Sequence, residues 1–388
     1  MTEAQGTGQF ALNAEQKAMA ELALSFARER IAPHAIAWDQ EKYFPLEVFK
    51  SAAPLGMGGI CVSEDVGGSN LSRLDAVLIY DGLAQGCPSI AGYFSVHNMV
   101  ALIVDRYGTE EQRKKWLPQL CGFDLLGAYC LSEPATGSDA SMLTTRAVRQ
   151  GDAYLLNGVK QFISGAGAAD VYIVMARTGE EGARGVSAFV VEKGAAGLSF
   201  GPCEKKMGWN AQPTRQVVLQ DVLVPQANLL GKEGQGFKVA MSALDGGRLN
   251  IAACSLGGAR SAFEKARTYM GERHAFGKRL TDFQALQFRL ADMATDIEVA
   301  QTFLWRAASA LDAKESNATM LCAMAKRFVT DAGFRVADQA LQMLGGYGYL
   351  TEYGIEKIVR DLRVHQILEG TNEIMGVIIA RSIIPPKP

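Results

Sequence analysis

The sequence predicts an α+β chain in three parts, helical, then β, then helical, and three observations carry that expectation. Apolar residues recur at helical spacing through residues 12–125, within an expected first domain of 1–125. Short alternating, β-branched runs dominate residues 126–233. Helical periodicity returns after the turn-rich Gly231-Lys232-Glu233-Gly234-Gln235-Gly236 and fills residues 234–388. At 388 residues the chain is long for one core, so two or three domains are expected. The expected domains are an N-terminal helical domain, a middle β-barrel and a C-terminal four-helix bundle.

Each element follows from a local pattern. Leu12 to Trp38 carries Ala18, Leu22, Phe26 and Ile31 at helical spacing, interrupted by Pro33. Leu71 to Leu83, Ser95 to Tyr107 and the amphipathic Glu110 to Leu120 complete the first domain, with Gly67-Gly68-Ser69 as turn punctuation. The expected strands are Ala153 to Leu156, Val159 to Ile163, Val171 to Ala176, Val186 to Glu192 and Gln216 to Leu219, with Asn157-Gly158 as a hairpin turn. Phe237 to Met270, Asp282 to Leu311, Ala318 to Leu344, Thr351 to Leu368 and Ile374 to Ile384 read as the later helices.

Apolar content of 48%, charged content of 21% and a net charge of −2 describe an ordinary soluble globular chain. They give no reason to expect nucleic-acid binding or an anionic membrane surface. No apolar run approaches the roughly 18 residues of a membrane span. Met1 to Phe10 is polar and lacks Arg, so no presequence is visible. The expectation is a cytoplasmic protein, or a mitochondrial-matrix one if the chain is a processed eukaryotic product. Seven cysteines without C-x-x-C read as free thiols, and four scattered histidines argue against a metal centre.

Near the C-terminus, Glu369 follows Ile367 and Leu368 and precedes Gly370. A carboxylate beside apolar residues at the mouth of a helix is partly desolvated, which strengthens it as a base. Thr371, Asn372 and Glu373 fall where a helix N-terminus offers free N–H groups. Alone, the stretch reads equally well as a capped surface helix. Tyr129-Cys130-Leu131-Ser132-Glu133-Pro134-Ala135-Thr136-Gly137-Ser138-Asp139 suits a strand edge and loop around a polar-rimmed aromatic ligand, although most such loops are only loops. Period-2 geometry sets Phe162 and Ser164 on one face, against which a flat ring would lie; a plain strand end is the ordinary alternative. Arg273, in Arg273-His274-Ala275-Phe276-Gly277-Lys278 between helix-like runs, would suit a phosphate, although surface loops with basic residues are common. Gln342-Met343-Leu344-Gly345-Gly346 ends a helix with paired glycines that allow close packing, or simply cap it. Asp245-Gly246-Gly247-Arg248 puts two glycines inside a helix, at about 1 kcal/mol each against alanine. No complete G-x-G-x-x-G, P-loop or Gly-x-Ser-x-Gly is present.

Taken in order along nearly the whole chain, these motifs resemble the acyl-CoA dehydrogenase family. The runs Lys206 to Arg215, Asn250 to Gly257 and Val364 to Gly370 resemble its members that act on isobutyryl-CoA. The resemblance implies non-covalent FAD between the middle and last domains, and a homotetramer built on the C-terminal bundles. By position, Tyr129, Leu131, Ser132, Gly137, Ser138, Phe162, Ile163 and Ser164 would line the flavin. Arg273, Phe276, Phe283 and Gln284, with Gln342, Met343, Gly345 and Gly346, would hold the rest of FAD, partly across a subunit interface. Thr371, Asn372 and Glu373 would lie against its diphosphate or adenosine portion. Ser138, Asp245, Gly246, Gly247, Arg248, Gly370 and Arg381 would contact the acyl-CoA thioester.

The implied chemistry is α,β-dehydrogenation of a short branched-chain acyl-CoA, as in valine breakdown. Glu369 takes the α-proton, the β-hydride goes to flavin N5, and an electron-transfer flavoprotein accepts the electrons. Some relatives carry the base immediately before the arginine that is Arg248 here; Gly247 stands there, which leaves Glu369. A short straight-chain or 2-methylbutyryl-CoA dehydrogenase is the alternative within the family. An acyl-CoA oxidase and a non-catalytic flavin-binding relative are the others.

Overall fold

The N-terminal helices form because their ends are capped and their apolar faces meet. The computed structural model describes residues 11–384; the presequence reading of Met1 to Phe10 lies outside them. Asn13 with Gln16, Ser72 with Asp75 and Thr109 with Gln112 make reciprocal capping boxes. They start α1 (Ala14–Phe26), α4 (Arg73–Gly86) and α6 (Glu110–Cys121). Between them lie α2 (Ala35–Glu41), α3 (Leu46–Ala52) and α5 (Pro88–Tyr107). The expected break at Pro33 is real, but a π-helical turn over Ala27–Ile31 precedes it. α5 begins seven residues before the expected Ser95, because Pro88 at its first turn nucleates the helix instead of ending one.

The middle region is one eight-stranded sheet of mixed pairing. Its strands are β1 (Gly127–Cys130), β2 (Arg146–Gln150), β3 (Ala153–Ser164), β4 (Val171–Arg177), β5 (Val186–Glu192), β6 (Leu198–Phe200), β7 (Thr214–Pro225) and β8 (Leu229–Leu230). The order is β6-β7-β3-β2-β4-β5-β8, with β1 alongside β4 in parallel. The hairpin expected at Asn157-Gly158 is not formed. β3 runs straight through it with a register shift between Leu156 and Gly158. Asn157 bonds Asp221 across to β7, donating through Nδ2 at 2.9 Å and accepting the Asp221 N–H at 2.9 Å. A dipeptide that signals a turn locally is recruited here as a β-bulge by its partner strand.

The last part is built on α7 (Gly236–Glu272), 37 residues or about 55 Å long. It packs on α8 (Gln284–Asp312), α9 (Ala318–Leu344) and, from the first domain, α4 and α5. A short β-hairpin, β9 (His274–Ala275) with β10 (Lys278–Arg279), joins α7 to α8. The expected helix Thr351 to Leu368 is shorter: α10 (Ile355–Arg363) stands between single 3-10 turns. α11 (Asn372–Ile383) closes the described chain. All seven cysteines are free. Among the described residues no group of three or more His, Cys, Asp or Glu is placed to hold a metal, and no helix is long and apolar enough to cross a membrane.

Candidate active site

Glu369 sits in the tight loop between the 3-10 turn Val364–Gln366 and α11. Its φ is +56° and that of Gly370 is +88°. Glycine adopts that region freely, whereas for glutamate it is strained and needs surrounding restraint. Thr371 caps α11 by accepting the Ile374 N–H. Asn372 donates to Asp331 Oδ1 at 2.8 Å, and Gln366 donates to the same oxygen at 2.7 Å. Glu373 is in the first turn, its carboxyl held below the usual range by its own backbone N–H and the Thr371 hydroxyl.

The Glu369 carboxylate points inward. Its Oε2 is shut off from solvent and has no hydrogen-bond partner among the described residues. Burial pushes the acid up to about 7, against the opposing pull of Arg248 and Lys326. The helical glycines of α7 make room for this arrangement. A Cβ on Gly247 would stand 2.5 Å from Glu369 Oε2, and one on Gly246 would stand 2.7 Å from the Arg73 guanidinium. A side chain at position 247 and the Glu369 carboxyl therefore compete for one space. Arg248 pairs with Asp245 at 2.6 Å, and Asp245 also accepts the Thr319 hydroxyl at 2.8 Å.

β1 supplies the facing wall. The Tyr129 hydroxyl is buried without a partner among the described residues, and its pKa is pushed well up by burial and then by the nearby Glu369 charge. Leu131 is buried, while Gly137 and Ser138 are exposed on the following loop. That loop is anchored by Glu133, which accepts the Thr144 and Thr145 N–H groups and pairs with Lys160. Phe162 does not alternate as expected. A second bulge lies between Lys160 and Ile163, and Phe162 has a φ of +61° with its ring 68% exposed. Ile163 is buried, and Ser164 Oγ accepts Gln212 Nε2 at 3.4 Å. The bulge, not the period-2 rule, sets where Phe162 faces.

Arg273, Gln342, Met343, Gly345 and Gly346 share a separate cleft of about 480 Å³ with Tyr269, Leu280 and Tyr347. Arg273 lies 5.6 Å from the centre of the Tyr347 ring. Phe276 is almost fully exposed on the hairpin, and Phe283 and Gln284 start α8 outside this lining. Arg381 is exposed at the far end of α11. Neither Ser138 nor Arg381 has a hydrogen bond to the Glu369 loop among the described residues.

Several residues that the sequence did not single out hold the site. Lys326 from α9 donates to the Gly370 carbonyl, and Asp331 holds both sides of the loop. His365, four residues before Glu369, accepts from Trp209 Nε1 at 3.1 Å and pairs with Ser255 at 2.6 Å. Burial, then the Lys326 charge, pushes it down to about 3, so it is neutral. A lysine in the small, apolar run Ala323-Met324-Ala325-Lys326 was the one available signal.

Models of the acyl-CoA dehydrogenase N-terminal, middle and C-terminal domains match residues 13–124, 128–222 and 234–384. The chain belongs to the acyl-CoA dehydrogenase family. It is accordingly an FAD-dependent oxidoreductase acting on acyl-CoA. It is 52% identical over 373 residues to the mitochondrial isobutyryl-CoA dehydrogenase of Bos taurus, covering 96% of this chain and 90% of that one. A chain from the structure of the electron transferring flavoprotein of Acidaminococcus fermentans superposes with a TM-score of 0.95 at 38% identity, over 98% of this chain and 100% of that one. Butyryl-CoA dehydrogenase from Megasphaera elsdenii superposes at 0.94, also at 38% identity, over 97% and 100%. The residues present fit FAD and a thioester: Tyr129 and Thr136 hydroxyls and Glu369 Oε2 are buried without partners among the described residues, and the Phe162 side chain is exposed.

Proposed function

We propose that the enzyme dehydrogenates isobutyryl-CoA to methacrylyl-CoA, in valine catabolism, with Glu369 as the base. The observation that carries the base is the Glu369 carboxyl raised to about 7, with Oε2 shut off from solvent and without a partner among the described residues. A thioester α-proton is weakly acidic, so its removal needs a positioned base poised near working pH and stabilisation of the enolate oxygen. The Glu369 carboxylate stands nearest the space at Gly247, and its backbone N–H would donate to the thioester oxygen. FAD, when bound, supplies the acceptor for the β-hydride.

The chain's own residues hold the two ligands. Tyr129, Leu131, Ser132, Gly137, Ser138, Phe162, Ile163 and Ser164 line the flavin. Arg273, Phe276, Phe283, Gln284, Gln342, Met343, Gly345, Gly346, Thr371, Asn372 and Glu373 take the remainder of FAD. The cleft at Arg273 and Gln342 to Gly346 supports that division. Ser138, Asp245 to Arg248, Gly370 and Arg381 meet the acyl-CoA. An electron-transfer flavoprotein is the acceptor, and the assembly is a homotetramer, in which a second copy covers exposed residues such as Phe276 and Phe288. The domain limits 125/126 and 233/234 belong to the same reading, supported by the passage from α6 to β1 and from β8 to α7. Free thiols and the mitochondrial relative support a reducing compartment, cytoplasm or matrix.

The likeness to a butyryl-CoA dehydrogenase favours a straight-chain substrate as the second reading. One methylene is worth only about 1–3 kcal/mol in a pocket, so the two are close. Anaerobic titration of the purified holoenzyme, following bleaching of the oxidised flavin, separates them. Stronger bleaching with isobutyryl-CoA than with butyryl-CoA or 2-methylbutyryl-CoA is expected. Preference for another chain would discard the substrate, and no bleaching with any thioester would discard the chemistry.

A further inference from the structure

The loop that carries Glu369 is held from below by one face of α9. Lys326 is fully buried, and its ammonium donates to the Gly370 carbonyl at 2.7 Å and to Asn372 Oδ1 at 2.9 Å. Five residues along, Asp331 Oδ1 accepts from Gln366 and from Asn372. The residues gripped are 366, 370 and 372, so Glu369 is bracketed on both sides. Among the described residues no carboxylate lies within salt-bridge distance of Lys326. The buried pair Lys357–Asp361 at 2.6 Å shows the usual solution for such a lysine in this protein. A buried ammonium used only on a carbonyl and an amide is costly to desolvate, and packing alone would be served better by an apolar side chain.

We propose that Lys326, with Asp331, is a positioning residue for the base: it clamps the 366–372 loop so that the Glu369 carboxylate stands against Gly247, and its charge favours that carboxylate ionised. This rests on the reading of Glu369 as the base. The charged and titratable groups that act on the pair come from every packed element. They are Arg248 and Asp245 from α7, Asp331 from α9, Glu373 from α11, Tyr129 from β1 and the neutral His365 from the 3-10 turn before the loop. Arg248 is already tied to Asp245, while Lys326 has no such pair among the described residues; burial pushes it down to about 7 against the pull of Glu369 and Asp331, so Lys326 and Glu369 hold each other charged over the same pH range. The clamp also explains how a glutamate keeps a left-handed backbone at φ +56°.

The test uses the holoenzyme. Lys326→Met is expected to lower kcat about 10²-fold, the scale of an ångström's misplacement, with KM within about twofold. The acid limb of kcat against pH should move up by about one unit or more, because a nearby opposite charge has been removed. The infrared carboxyl band of protonated Glu369, assigned by its absence in Glu369→Gln, should shift its midpoint in the same direction. Lys326→Arg should restore the limb, though not the full kcat. An unchanged kcat, or a loss of kcat with the limb and the infrared midpoint unmoved, would overturn the proposal.

If Lys326→Met does not fold, Asn372→Ala carries the test. It keeps the charge and removes one anchor, so amide exchange over 366–372 should quicken and kcat fall while the limb stays. Native exchange with native kcat would sink the clamp. Turnover retained by Glu369→Gln would instead overturn the assignment of the base, whatever Lys326 does.

Discussion

Glu133 is a buried carboxylate and Glu369 a half-buried one whose Oε2 is shut off from solvent; each lies close to a buried lysine, and they are held in opposite states. Glu133 pairs directly with Lys160 at 2.8 Å and accepts three further hydrogen bonds, from the Thr144 and Thr145 N–H groups and the Thr144 hydroxyl. Burial would raise its acid, but Lys160 and those donors outweigh it and hold it at about 2. Glu369 has Lys326 turned to its loop instead of its carboxylate, keeps Oε2 unpartnered, and rises to about 7. A satisfied carboxylate is a structural tie that is always charged. An unsatisfied one is a base held at its own expense, and stability and reactivity are separated by where the lysine points.

Replacing the two in turn should give opposite failures. The largest effect is Glu369→Gln, which should retain flavin by its visible absorption and lose about 10³-fold in turnover, within the range of general-base catalysis. Substantial retained turnover would break the contrast. Next, Lys160→Met strands Glu133 in the interior at about 3–5 kcal/mol, read as a much lower unfolding temperature of the holoenzyme. Near-native unfolding would mean that the pair is no structural tie.

The pH dependences differ in sign. kcat/KM should climb as pH rises through about 7, where Glu369 ionises. Its folded pKa lies above the ordinary 4.5, so the folded state binds the proton more tightly and stability falls between pH 4.5 and about 7. Glu369→Gln should therefore melt higher than the parent at pH 8, and that advantage should vanish towards pH 4.5. Glu133, depressed to about 2, contributes stability above pH 4.5 that is lost as pH falls towards 2. The smallest effect is Asn157→Ala, about 0.5–1.5 kcal/mol from lost cross-strand bonds, with the activity profile unmoved.

The sequence by itself determined the helix–sheet–helix order, the long helices from Phe237 and Ala318, the helix N-terminus at Thr371 to Glu373 and the family, because periodicity, helix starts and ordered motifs are local or linear signals. It also marked Glu369 and the costly pair Gly246-Gly247. Tertiary structure alone decided what those glycines are for, since the cost of a missing Cβ is local while the Arg73 and Glu369 groups that fill the space come from distant segments. It likewise turned Asn157-Gly158 from a hairpin into a bulge, because β7 offered hydrogen bonds that a free hairpin would lack. Lys326 stayed hidden for the same reason. Its place beneath Gly370 spans 44 residues, and the small, apolar run Ala323-Met324-Ala325 marks the lysine as inward-facing without saying that it grips the loop of the base.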